Sequence, residues 1–288
     1  MPAVAPFGYQ YAATSFPFGT LVKPGGNVVA YVRSTGAQEG DDPFAASGLL
    51  VSTIDAGCNR CRSGQRDIVV VLPGHVETFT AAGAIWPSLK AGTQIIGAAN
   101  AGGSSAPTVN LNQVAASVAL NVADVTVHGL NIVSASVLTA GIVITAAGVT
   151  LSGCFVNSTG ALAANSLIQV TGAANCSIVG NVIVCNNTTG AMINVTGAAS
   201  TNFLIQGNKM RQSQAAAGGD FVEIANTLLI SGMCCDNYGK TATTLATPGT
   251  GFFLNNGNVL VTVANVENYV AGGSVGTAAI VATGATGN

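Results

Sequence analysis

A short apolar alternation, a few small residues, a second alternation and, usually, a glycine recur at least six times along this chain. The first alternation starts at Val118, Ile142, Ile168, Ile193, Val222 and Phe252, and the second at Val125, Val149, Cys176, Phe203, Leu228 and Val259. Neighbouring starts lie 24 to 31 residues apart. Self-similarity at such a period is the signature of stacked repeats, because a single unit cannot bury its own apolar face and needs its neighbours. Within the unit 168–180, Ile168 and Val170 share one strand face, and Cys176 and Ile178 share another. The linking Gly172, Ala173, Ala174 and Asn175 supply small residues and a turn former at the bend. No helix fits between the alternations, so a βαβ unit is excluded, and the two-residue period excludes a helical repeat. What remains is an all-β solenoid, a single-stranded parallel β-helix with each coil laid on the last.

Glycine at 129, 153, 180, 207 and 232 is expected to mark one recurrent bend, with Val263 in that place in the last clear unit. Alternate positions of the first strand (Ala119, Val143, Gln169, Asn194, Glu223) are expected to face outward. Only 7% of the residues are charged and 49% are hydrophobic, with a mean hydropathy of +0.51. Asn, Thr, Ser and Gly interrupt every apolar stretch well short of the ~20 residues that a spanning helix needs, so no membrane span is expected. The formal net charge of −2 gives no electrostatic reason to expect nucleic acid as a partner. Seven cysteines form an odd set without a disulfide-framework spacing. The beginning of the chain lacks the pattern of a secretory signal, and a reduced site of synthesis is expected.

The front of the chain differs. Half of the charged side chains fall within residues 1–67. Residues 1–30 carry Phe7, Tyr9, Tyr11, Phe16 and Phe18 among prolines and glycines, which reads as an extended arm whose aromatics need another surface. Residues 28–32 read as a strand. Asp42 and Pro43 offer a helix cap and first-turn proline leading into an amphipathic stretch from Phe44 to about Cys61. The division is therefore an arm (1–30), a cap of strand plus helix (31–66) and a β-helix body (67–288).

Tyr31-Val32, Gly36, the run Gly40-Asp41-Asp42-Pro43-Phe44, Gly64, the run Asp67 to Gly74 and Glu77 together resemble the leading segment of pectate-lyase-like right-handed β-helix proteins. The resemblance extends from about Tyr31 to Ile280. With Phe16-Pro17-Phe18-Gly19, Lys23-Pro24, Arg33-Ser34-Thr35-Gly36 and His75 added, the chain looks like a group of tailed-bacteriophage virion proteins with an arm and a β-helix body. That resemblance implies a structural, capsid-associated decoration (cement) or head-fibre protein. It would be made in the host cytoplasm, held in the virion by its N-terminal region on the major capsid protein or another virion protein, and assembled as a homotrimer. The alternative is a tailspike-like β-helix that binds or degrades a glycan; a free-standing adhesin ranks third.

Polysaccharide cleavage on such a scaffold needs paired carboxylates. Beyond residue 80 the acids are Asp124, Asp220, Glu223, Asp236 and Glu267. Asp220 and Glu223, with Lys209 and Arg211 about one coil away, form a weak glycan-binding candidate; a solvated outer face is the plainer reading. The chain is accordingly read as no enzyme, with no catalytic residue, metal or cofactor assigned. Cys58 and Cys61 have the inner spacing of a zinc half-site but no second pair completes it. His75 near Glu77 hints at acid–base chemistry without a nucleophile, and a turn histidine is the default. Cys234 and Cys235 cannot both face inward on a regular strand, so one is expected to be exposed or at a bend. Thr145, Thr171 and Thr196 fall in one column, too few rungs for an ice-binding ladder and ordinary for strand ends.

Overall fold

The computed structural model describes residues 27–34, 48–134, 138, 140–159, 166–185, 191–212, 221–225, 230–240, 253–255, 261–266 and 269–271. Phe7, Tyr9, Tyr11, Phe16, Phe18, the Asp42-Pro43 cap, Asp220 and the tail beyond Ala271 lie outside the described residues.

Three all-parallel sheets run the length of the body. The first contains β1 (Val28–Val32), β2 (Leu50–Val51), β3 (Ile68–Val71), β6 (Gln94–Gly97), β9 (Thr126–His128), β12 (Thr150–Ser152), β15 (Ser177–Val179), β18 (Ser200–Gln206), β21 (Ile230–Cys235) and β24 (Val261–Val266). The second contains β4 (Val76–Phe79), β7 (Thr108–Leu111), β10 (Asn131–Ser134), β13 (Phe155–Ser158), β16 (Val182–Cys185), β19 (Lys209–Gln212), β22 (Tyr238–Lys240) and β25 (Tyr269–Ala271). The third contains β5 (Gly83–Ala84), β8 (Ala116–Leu120), β11 (Ile142–Ile144), β14 (Ile168–Val170), β17 (Ile193–Thr196), β20 (Val222–Ala225) and β23 (Phe253–Asn255). From β3 onward the chain visits the first, second and third sheets in turn, and each strand pairs with its equivalent one coil away. This is a parallel β-helix of pectate-lyase-like architecture.

The sequence alternations correspond to the first and third sheets. Inside, Val118, Ile142, Ile168, Ile193 and Val222 form one register-aligned buried column, and Val127, Leu151, Ile178, Ile205 and Cys234 form another. The second sheet was not expected. Its inward column of Val109, Ile132, Val156, Ile183 and Met210 continues to Gly239, where a Cβ would stand 2.7 Å from the ring of the buried Phe221. The glycine there leaves room for the aromatic ring.

The bend between the first and second sheets requires a left-handed backbone. Gly129, Gly153, Gly180 and Gly207 adopt φ of 56–70° there. In the next coil that place belongs to Asp236 (φ 56°), not Gly232 as expected. The backbone register pairs Phe203 with Gly232 and Ile205 with Cys234. The alternation seen from Leu228 therefore lies four residues too early. Leu228 is outside the described residues, and Ile230 pairs with Ser200. Likewise Val222 pairs with Phe253, one residue later than the Phe252 start.

Just past this bend a side-chain ladder runs through the interior. Asn181 Oδ1 accepts from the Cys154 amide (2.9 Å), Asn208 Oδ1 from the Asn181 amide (3.0 Å), and Asn237 Oδ1 from the Asn208 amide (3.0 Å). Their amide groups donate to Leu151 O, Ile178 O and Ile205 O at 2.9–3.1 Å. Backbone groups turned out of the sheet by the bend thus find partners without water.

The N-terminal end is closed by α1 (Ile54–Arg60), shorter than the helix expected from Phe44. Gly48 (φ 67°) turns the chain, Leu50 and Val51 pair with β1 as a strand, and Thr53 Oγ1 caps the helix by accepting from the Ala56 amide at 3.1 Å. A short strand edge captured by β1 thus displaces helix from residues 50–51. Gly57 lets α1 lie close on the sheet, since a Cβ there would stand 2.7 Å from Val69 Cγ1. Lys90 Nζ holds the other end through Asn59 O (2.6 Å) and Cys61 O (2.8 Å). No helix among the described residues is long and apolar enough to cross a membrane.

Asn208→Ala removes both an acceptor and a donor from the buried ladder and leaves neighbouring amides unpaired. Urea unfolding should show a loss of about 2–4 kcal/mol, against less than about 1 kcal/mol for Val182→Ser at an outer position. Similar losses for the two would contradict a structural role for the ladder.

Candidate functional site

The outer face of the third sheet carries the polar column foreseen in the sequence. Gln169, Asn194 and Glu223 stand on successive strands in exact backbone register, after Ala119 and Val143 lower in the same column. All five are half-buried. Asn194 Nδ2 donates to Glu223 Oε2 at 3.3 Å, while Asn194 Oδ1 has no partner. Thr145 and Thr171 follow β11 and β14, Thr196 ends β17, and Ala225 takes that position on the strand of Glu223, so hydroxyl-bearing residues stand beside part of the column. The arrangement offers amides, hydroxyls and one carboxylate at the rung spacing of ~4.8 Å.

Lys209 and Arg211 do not join this column. They lie exposed on β19, on the outer face of the second sheet, while Glu223 lies on the third. Asp220 is outside the described residues. Lys240 on β22, paired in register with Arg211, escaped the sequence reading because the strand that presents it carries no apolar alternation.

His75 and Glu77 meet a residue that their sequence spacing does not suggest. Ser34 Oγ lies 3.1 Å from His75 Nδ1, and Glu77 Oε1 lies 3.4 Å from His75 Nε2 while accepting from the Ile54 amide at 2.6 Å. The order of groups resembles a nucleophile–base–acid relay, but the surroundings make it a latch. Ser34 Oγ also accepts from the Val76 amide (2.8 Å) and faces Val76 O (3.0 Å), and the imidazole is fully buried. The cluster ties the end of β1 to β4 and α1, and no substrate can reach the ring. Nearby, the Arg62 guanidinium donates to both oxygens of buried Asp67 (2.9 and 3.1 Å), holding that carboxyl below its usual range.

All seven cysteines are free and buried. Cys58, on α1, and Cys61, at its end, pack into the core, and burial pushes both thiols up. Among the described residues there is no group of three or more His, Cys, Asp or Glu able to hold a metal. Burial also raises Cys154 and Cys176 to about 11. Cys234 points inward, and Cys235 ends its strand at the Asp236 bend; both are buried, so the bend resolves the adjacency. His128 is buried on β9 with Nδ1 3.0 Å from Ser152 Oγ, and burial lowers its pKa from 6.5, partly opposed by Ser152. No family model, no curated protein and no solved structure matches the chain.

Two measurements follow. A thiol reagent at neutral pH should label the native protein slowly and all seven cysteines after unfolding; rapid native labelling of several would contradict their burial. Because His128 titrates lower in the folded state than in the unfolded chain, its contribution is complete above about pH 6.5 and is lost as pH falls. His128→Gln should therefore flatten the fall in unfolding free energy between about pH 7 and 5, and an unchanged slope would contradict it.

Proposed function

We propose that this protein is a tailspike-like, glycan-binding β-helix. The observation that carries the reading is the register-aligned column of Gln169, Asn194 and Glu223 on the outer face of the third sheet, with Thr145, Thr171 and Thr196 beside it. A rigid row of amides, hydroxyls and one carboxylate suits the hydroxyl-rich edge of an extended sugar chain. Rigid presentation also limits the ordering cost of binding.

The role is binding rather than turnover. Hydrolysis would need an acid and a second carboxylate flanking the same bond, and Glu223 is engaged by Asn194. In a virion setting, copies assembled as a trimer would display this face while residues 1–30 dock on a capsid or other virion protein; Phe7, Tyr9, Tyr11, Phe16 and Phe18 of that segment lie outside the described residues.

The test is affinity electrophoresis of the full chain through neutral bacterial surface polysaccharides. At least one should retard the protein, and Asn194→Ala combined with Glu223→Gln should weaken that binding about tenfold, near 1.4 kcal/mol. Absence of retardation across the panel, or an unaffected double variant, would contradict the reading. Shortening of the polysaccharide on incubation would instead make the protein an enzyme.

A further inference from the structure

Beyond residue 80 the chain has four basic side chains, and three of them share one face. Lys209 and Arg211 stand exposed on β19, and Lys240 stands exposed on β22 directly beside Arg211. Tyr238, also exposed, occupies the rung beside Lys209. Among the described residues these three cations have no ion-pair partner, and no acid takes an outward position on the second sheet. Glu77, the acid on β4, is turned inward to α1. Asp236, at the neighbouring bend, accepts from Gln206 at 3.0 Å. Like charges one rung apart repel, so the cluster is unfavourable in a chain this poor in charge unless an anion offsets it.

The rungs behind continue the same two columns. Phe155 shares the column of Lys209 and Tyr238, and Asn157 shares that of Arg211 and Lys240. Phe155 and Asn157 stand on one rung, Val182 and Val184 on the next, Lys209 and Arg211 on the third, and Tyr238 and Lys240 on the fourth, at ~4.8 Å per rung.

We propose that the outer face of the second sheet is an anion-binding surface for an acidic polysaccharide, with Lys209, Arg211 and Lys240 holding carboxylate or sulfate groups and Tyr238 packing against a sugar ring. The choice of a glycan rests on the function proposed above; the site itself lies on a different face. A rung is close to the length of one pyranose unit, so cations on adjacent strands can meet groups on one sugar or on neighbouring sugars. Nucleic acid fits less well. Such binding draws on many phosphate contacts and on repeated aromatic stacking platforms, whereas this face has three cations and a net charge of −2 around it.

The experiment uses the full chain, with alginate as the acidic probe and dextran as the neutral one. Alginate should retard wild type in native gels far more than dextran does, and the effect should weaken sharply between about 50 and 200 mM salt. K209Q/R211Q/K240Q, which removes the three charges and keeps polar side chains at exposed positions, should raise the dissociation constant for alginate at least about tenfold. A folded triple variant that binds alginate as tightly as wild type overturns the proposal, as does no alginate binding at all. If neutral-glycan binding sensitive to N194A/E223Q persists in either case, the proposed function stands while this surface does not. Tighter binding to single-stranded DNA or to phosphatidylserine vesicles than to alginate overturns the choice of occupant.

Discussion

The parallel hydrogen-bond ladder between coils is the interaction on which everything else here depends. Each strand donates to and accepts from its equivalents in adjacent coils, as when the Phe155 amide meets Leu130 O and the Val182 amide meets Cys154 O, both at 2.9 Å. An individual bond of this kind contributes only about 0.5–1.5 kcal/mol net, but leaving it unmade in a dry interior costs more. Register is therefore fixed not by charge, which the chain nearly lacks, but by the requirement that every buried backbone group be paired. The aliphatic columns then follow, since residues in register present the same face coil after coil.

Corners are where this ladder is hardest to maintain. The solution at the bend between the first and second sheets combines left-handed backbone at Gly129, Gly153, Gly180, Gly207 and Asp236 with the Asn181–Asn208–Asn237 side-chain ladder. At the bend between the third and first sheets, Asp124, Gly148, Asn175 and Asn202 take φ of 54–71°. Asn and Asp tolerate that region because their short polar side chains can bond locally. At the N-terminal end the ladder would expose core, and α1, held by Thr53, Glu77 and Lys90, covers it. The buried histidine latch belongs to this closure rather than to chemistry.

Much of the architecture was legible in the sequence because two of the three sheets bury branched aliphatics in strict alternation. The second sheet was hidden for a physical reason. Its inward positions include Ser134, Ser158 and Cys185, whereas outward positions include Phe155 and Val182, so apolarity does not distinguish its faces. Ser134 tolerates burial by donating to Leu111 O at 3.1 Å. The Gly180-Asn181 and Gly207-Asn208 pairs were a readable signal for the asparagine ladder. The polar column on the third sheet was readable too, since Gln169, Asn194 and Glu223 share one position of the repeat. The association of Lys240 with Arg211 depends on the register of the hidden sheet, and the contact of Ser34 with His75 spans 41 residues that no periodicity connects.

Residue-resolved hydrogen exchange on the second-sheet amides tests the three-sheet coil most directly. The amides of Asn131, Phe155, Val182 and Lys209 donate to the preceding coil and should exchange as slowly as those of Ile142 and Ile168 on the third sheet. Fast, loop-like exchange at these four positions, with protection confined to the two sheets evident from the apolar pattern, would contradict the account.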